Sequence, residues 1–234
     1  MIKSLGPNTT LFLGMISVII FCFANPGWSA PAYGTRMPEK GKLAAGLQTY
    51  IVSERDLADP NDAMHSRQEF VLLSYGVLDW LSLDLKGGVG NIYESRLSAD
   101  DITYPTFLGG GYGFRVKFFD DGKTRAVAGF QHISIHPYSV SVDNGKKTKA
   151  VLDDWQFSAL ISHDIGKLTP YAGFKLSRMD EIRWVDTERN RIKSEYGVGV
   201  IAGTDIVLTK RVWLNLETQW VDSVAYAASV NYKF

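Results

Sequence analysis

Within Phe130-Gln131-His132-Ile133-Ser134 the sequence sets a histidine two residues from a serine. On an extended strand His132 and Ser134 share one face, where an imidazole can take the hydroxyl proton and turn the oxygen into a nucleophile. The competing account is that His132 and His136 are polar residues at a level where a strand leaves a membrane. Other constellations are thinner. His65 and His163 fall at opposite ends of the architecture argued below, so neither a metal site nor a cofactor is expected. Gly109-Gly110-Gly111-Tyr112-Gly113 lies inside a strand pattern and opens no helix, which excludes a phosphate-cradling loop. Asp56, Asp59, Asn61 and Asp62 could bind calcium weakly, though a solvated loop explains the same composition.

Composition narrows the setting for any such chemistry. The chain has 234 residues, of which 45% are apolar and 21% charged, enough to bury a core. Twenty-five basic residues balance 25 acidic ones, leaving no excess cation for a phosphate backbone, so nucleic acid is excluded as a partner. A single cysteine, Cys22, permits neither a disulfide framework nor a thiolate metal site.

Lys3 precedes the uncharged stretch from Leu11 to Ala24, which ends at Asn25, Pro26 and Gly27. That is the form of a secretory signal rather than a spanning helix, which needs about twenty apolar residues. Ala30-Pro31-Ala32 supplies the small-residue cleavage site, giving a signal over 1–32, with Ala30 the alternative point. Phe21 before Cys22 argues against lipidation. Residues 33–41 then read as a short periplasmic segment and 42–234 as the barrel.

From Gly41 onward the pattern has period two. Leu108, Tyr112, Phe114, Val116 and Phe118 alternate with Gly109, Gly111, Gly113, Arg115 and Lys117. Ten such segments can be drawn, over 42–52, 68–78, 80–90, 106–118, 124–136, 151–164, 169–180, 193–207, 211–221 and 224–234. Most have the length that a tilted strand needs to cross a bilayer. The links alternate as well: Asp79, FDDGK, IGKL and LTK are tight, whereas Ser53 to Arg67, Asn91 to Pro105, Pro137 to Ala150 and Glu181 to Ile192 are long and polar. Short turns at one end and long loops at the other describe an outer-membrane barrel. No water in hydrocarbon satisfies a bare sheet edge, so the expectation is an all-β, closed, antiparallel transmembrane barrel of ten strands, with eight the alternative count. A secreted β-sandwich or soluble barrel is the competing class.

With the apolar faces on lipid, the other faces line a lumen carrying Asp84, Asp154, Glu195, Asp205 and Glu217 with Lys86, Arg115, Lys117, Lys175 and Lys233. Five acids against five bases predict paired networks that close the passage, rather than the single-sign ring of a selective filter. A narrow channel for small solutes is the alternative.

The closing strand, Tyr226 to Phe234, ends Tyr232-Lys233-Phe234, and with the strand-turn pieces Tyr75 to Leu83 and Leu168 to Gly173 it resembles bacterial outer-membrane β-barrels of the OmpA-like and OmpW-like kind. That resemblance implies a monomer in outer-membrane lipid, with Tyr232 and Phe234 as the signal read by the barrel assembly machinery. It implies external loops open to a ligand and no enzymatic activity. The stretch at His132 and Ser134 is similar to the His-x-Ser motif of outer-membrane lipid A deacylases, whose catalytic face points to lipid. Where that family continues with a small, Asn-containing segment and a glutamate, this chain has Ile135, His136 and Pro137, then Asp143, Lys146 and Lys147. Deacylation therefore stands as the second alternative.

Overall fold

The computed structural model describes residues 30–58, 62–96, 100–142 and 145–234; residues 1–29 of the expected signal and Asp59, Asn61 and Asp143 lie outside the described residues. Among the described residues ten antiparallel strands form the wall: β1 (Leu43–Asp56), β2 (Ala63–Leu78), β3 (Leu81–Ser95), β4 (Ile102–Asp120), β5 (Thr124–His136), β7 (Lys147–His163), β8 (Leu168–Val185), β10 (Gly199–Val207), β11 (Val212–Trp220) and β12 (Val224–Lys233). Two short strands, β6 (Val140–Ser141) and β9 (Glu188–Lys193), extend external hairpins. β12 returns to β1, with Ala44 opposite Lys233 and Glu54 opposite Val224, so the sheet has no bare edge and the count is ten.

Alternation sorts the two faces. In β3, Leu83 and Leu85 are exposed while Ser82, Asp84 and Lys86 are buried; in β7, Phe157 points out while Asp154, Gln156 and Ser158 point in. A soluble protein has the opposite arrangement. With Leu47 66% exposed, Val71 and Val230 beside it in the same state, and Leu108 and Leu176 likewise exposed on other strands, the outer surface matches hydrocarbon. Trp80, Phe118, Phe119, Tyr232 and Phe234 are exposed at the short-turn end, and Trp155, Trp220 and Tyr226 toward the other. Trp213 does not join them: it lines a small space in the lumen mouth with Arg36 and Asn231.

The long polar links are largely strand. β1 continues to Asp56 and β2 begins at Ala63, while β3 continues to Ser95 and β4 begins at Ile102. Above the membrane the outer face meets water and turns polar while the buried inner face mixes charged and apolar residues, so the apolar period fades although the hydrogen-bond ladder goes on. The strand expected over 193–207 is interrupted. β9 pairs with the outer half of β8, and residues 194–198 then leave the ladder. Ser194 bridges to Leu57 and the Glu195 N–H donates to the Asp56 carbonyl at 3.0 Å. The end of β1 and the residues just after it thus meet the chain that follows β9.

A second correction concerns 33–41, expected in the periplasm. Residues 33–40, preceded in the lumen by Ala30 to Ala32 of the expected signal, run inside the barrel and emerge at its short-turn end, where the Gly41 N–H donates to Gly76 O at 2.7 Å. A Cβ on Gly76 would stand 2.1 Å from Glu39 O, so only glycine lets the segment turn from lumen into wall here.

Candidate functional site

The lumen is filled from the short-turn end upward by this inner segment and the wall residues that hold it. Thr35 Oγ1 donates to Ser162 Oγ at 2.6 Å, and Arg36 reaches Thr169 Oγ1 at 3.1 Å with Asp205 3.9 Å away. Arg115 grips Asp84 through Nε and Nη2, both at 2.8 Å, and spends Nη1 on the backbone carbonyls of Arg36 and Tyr33. The Lys86 ammonium lies 4.3 Å from the centroid of the Tyr33 ring. Across the barrel, Glu217 accepts the Ala32 N–H at 2.9 Å and the Tyr171 hydroxyl at 3.0 Å, while Asn215 bridges Tyr171 and Asp205. Gln156 accepts the Ala30 N–H and Gln219 donates to the Ala30 carbonyl. The space left between segment and wall near Arg36 and Arg115 is about 20 Å³, room for one water.

Higher in the lumen, Lys175 pairs with Asp222 at 2.7 Å and Arg55 with Asp154 at 3.3 Å. A Cβ on Gly199 would fall 2.3 Å from Asp222 Oδ1 and 2.4 Å from Lys175 Cε, so the first of these pairs requires glycine on the adjoining strand. Above them Arg183 holds Glu94 at 2.6 Å and Glu181 at 3.1 Å. Around these lies a buried apolar cluster that includes Phe70, Ile92, Ile133, Ile135, Leu152 and Met179.

Of the ten charges expected in the lumen, Asp84, Lys86, Arg115, Asp154, Lys175, Asp205 and Glu217 are buried there. Lys117 and Lys233 stand at its mouth. Lys117 pairs with Asp120, and Lys233 with Glu39, whose carboxyl the lysine holds below its ordinary pKa. Glu195 is exposed, carried out of the wall where residues 194–198 leave the ladder. Sequence reasoning missed Arg55, Glu94, Glu181, Arg183 and Asp222, all of which lay in segments read as loops. It also missed inward Ile133 and Ile135, because apolar residues on both faces of a strand erase the alternation.

His132 and Ser134 point outward, since their neighbours Gln131, Ile133 and Ile135 are buried in the lumen. His132 Nε2 lies 2.6 Å from Asp153 Oδ1, and Ser134 Oγ lies 3.0 Å from His136 Nε2. The serine is thus bonded to the following histidine, while His132 is oriented by a carboxylate that sequence spacing did not reveal. Below them is an aromatic patch: Tyr112 packs 5.0 Å from His132, and Phe130 sits 5.8 Å from Trp155 and 4.9 Å from Phe157. Among the described residues no three His, Cys, Asp or Glu side chains gather as metal ligands. Of the acidic residues proposed for calcium, Asp56 lies at the end of β1 and Asp62 just before β2. At the other end of the barrel the rings of Tyr232 and Phe234 meet edge-on at 5.0 Å, both exposed, and the Phe234 N–H closes onto Leu43 O.

No family model and no curated protein matches the chain. Solved structures similar to it include the transport unit of the autotransporter AIDA-I from Escherichia coli (TM-score 0.49, 10% identity, covering 99% of this chain and 100% of that one). The outer membrane protease OmpT from Escherichia coli gives 0.47 at 10% identity over 87% and 100% of the two chains. Ail, the attachment invasion locus protein of Yersinia pestis, gives 0.44 at 8% identity over 85% and 100%. It is the apolar exterior of a closed barrel, with aromatic residues toward both ends, that makes this a β-barrel of a bacterial outer membrane.

Proposed function

We propose that the protein is a non-conducting, non-enzymatic barrel that acts through its external hairpins and uses its lumen as a packed core. The observation that carries this reading is the inner segment after residue 32, held by Arg115 at the carbonyls of Tyr33 and Arg36 and by Thr35 on Ser162, with ion pairs and an apolar cluster stacked above it. Acids and bases alternate through the lumen rather than forming a ring of one sign, so no ion is favoured along it. The four tall hairpins then offer the surface for an extracellular ligand. The closed sheet acts as a monomer in lipid, and Tyr232 with Phe234 presents the C-terminal strand to the barrel assembly machinery. Purified protein in planar bilayers is expected to give no unitary conductance at any voltage tested; steady channel steps would reject this reading in favour of the narrow solute channel.

A second reading is favoured by one observation, the outward Ser134–His136 and His132–Asp153 pairs beside an aromatic patch. In a lipid acyl ester, Ser134 Oγ would attack the carbonyl as His136 takes its proton. The alcohol would leave with that proton, and water would then release the acid. Expression with and without Ser134→Ala, followed by mass analysis of outer-membrane lipid, tests it: loss of an acyl chain that requires Ser134 supports hydrolysis, and an unchanged acyl pattern ends it.

A further inference from the structure

Above the aromatic patch, three neighbouring strands place Lys149, Trp184 and Arg189 in one cross-strand row. All three face outward, because Thr148, Ala150, Glu181 and Arg183 take the lumen side of the same strands. Lys149 Nζ lies 5.4 Å and the Arg189 guanidinium carbon 5.6 Å from the centroid of the Trp184 ring, so two cations share one aromatic plate. Of the nearby acids, Asp153 pairs with His132, Asp180 with both Arg178 and Arg191, and Asp186 accepts the Lys147 N–H, while Glu188 shares the other face of β9 with buried Ile192. Among the described residues no carboxylate lies within 4.0 Å of Lys149 or Arg189. Arg178 stands opposite Trp155, at the level of the aromatic belt. From Trp155 to Lys149 the strand climbs about 20 Å, roughly 14 Å of height at a tilt near 45°, an interval that the long stems of Arg178 and Lys149 partly span.

We propose that this face binds a phosphate-bearing lipid of the surrounding leaflet, with the phosphate on Lys149 and Arg189 and the acyl chains lying over Trp155 and Tyr112. Charge complementarity selects the ligand. Cations beside a membrane attract anionic headgroups, and these two have no protein carboxylate to compete with. The aromatic patch roughly 14 Å lower on the same face supplies the apolar half of an amphiphile's site, which a soluble phosphate compound would leave unused. The inference is independent of whether the lumen conducts.

The test is native mass spectrometry of the detergent-extracted, full-length barrel with dioleoylphosphatidic acid, using dioleoylglycerol as the phosphate-free counterpart and inorganic phosphate as a competitor. Phosphatidic acid is expected to be retained in preference to dioleoylglycerol. K149A/R189A should weaken it about thirty-fold, while Lys149→Arg keeps it. Both positions are exposed, and unchanged heat-shifted gel mobility of the variants would show that the barrel is intact. Equal retention of the two lipids, undiminished binding by K149A/R189A, or displacement by inorganic phosphate as effective as by the lipid itself would overturn the proposal.

Discussion

Lys175 Nζ lies 2.7 Å from Asp222 Oδ2 with both side chains fully withdrawn from solvent, joining β8 to the three-residue link between β11 and β12. The shortest external link between two wall strands is therefore an anchor inside the lumen. Breaking one side of a buried pair strands the other charge at a cost of about 3–5 kcal/mol, whereas replacing both by apolar groups of similar volume is often nearly neutral. Asp222→Ala should lower the thermal midpoint for loss of the compact gel form markedly. The double variant K175M/D222L should recover most of that loss, and equal damage in both would show that the pair does not act as a unit.

Arg115 ties wall to inner segment, with two bonds to Asp84 and two to backbone carbonyls of Tyr33 and Arg36. Arg115→Met abandons Asp84 in the lumen and frees the segment, so a loss of about 3–5 kcal/mol in urea-induced unfolding is expected. Limited proteolysis should then cut within residues 33–40 of the variant and spare them in the wild type. Resistance of both would argue against the segment being held by this residue.

At the short-turn end, Arg125 donates to Asp164 at 2.9 Å and holds its carboxyl below the ordinary range. A carboxylate with a lowered folded pKa contributes stability above its unfolded value near 4 and loses it as pH falls through the folded value. The pair is partly solvated, so it is worth under about 1 kcal/mol. The difference in thermal midpoint between wild type and Arg125→Met should hold at neutral pH and shrink as pH falls below about 4. A difference that is constant with pH would contradict the assignment.

The C-terminal Phe234 is exposed and set edge-on against Tyr232, with no part in the lumen. Phe234→Ala should therefore slow assembly in cells while leaving the thermal midpoint of the assembled protein within about 0.5 kcal/mol of wild type. Pulse-chase gel mobility measures the first and heating measures the second. Normal assembly kinetics would remove these rings from the role of assembly signal.

Period-two alternation, with leucines and aromatics set against charges, was enough to determine that the sheet closes with its greasy face outward. Link lengths determined which end carries the short turns. Asp84, Arg115 and Glu217 could be assigned to the lumen on parity alone, because a strand puts every second residue on one side. Parity fades where the outward face turns polar and the buried inward face carries charged residues too, and so the outer halves of β1, β2, β3 and β8 read as loops and hid Arg55, Glu94 and Arg183. Partners were hidden for a different reason. Lys175 with Asp222, His132 with Asp153, and Ala32 with Glu217 come together only when ten strands have closed, since barrel curvature and register set those distances. The lodging of residues 30–40 in the lumen depends likewise on the width that closure leaves, a property of the assembled wall and of no single segment.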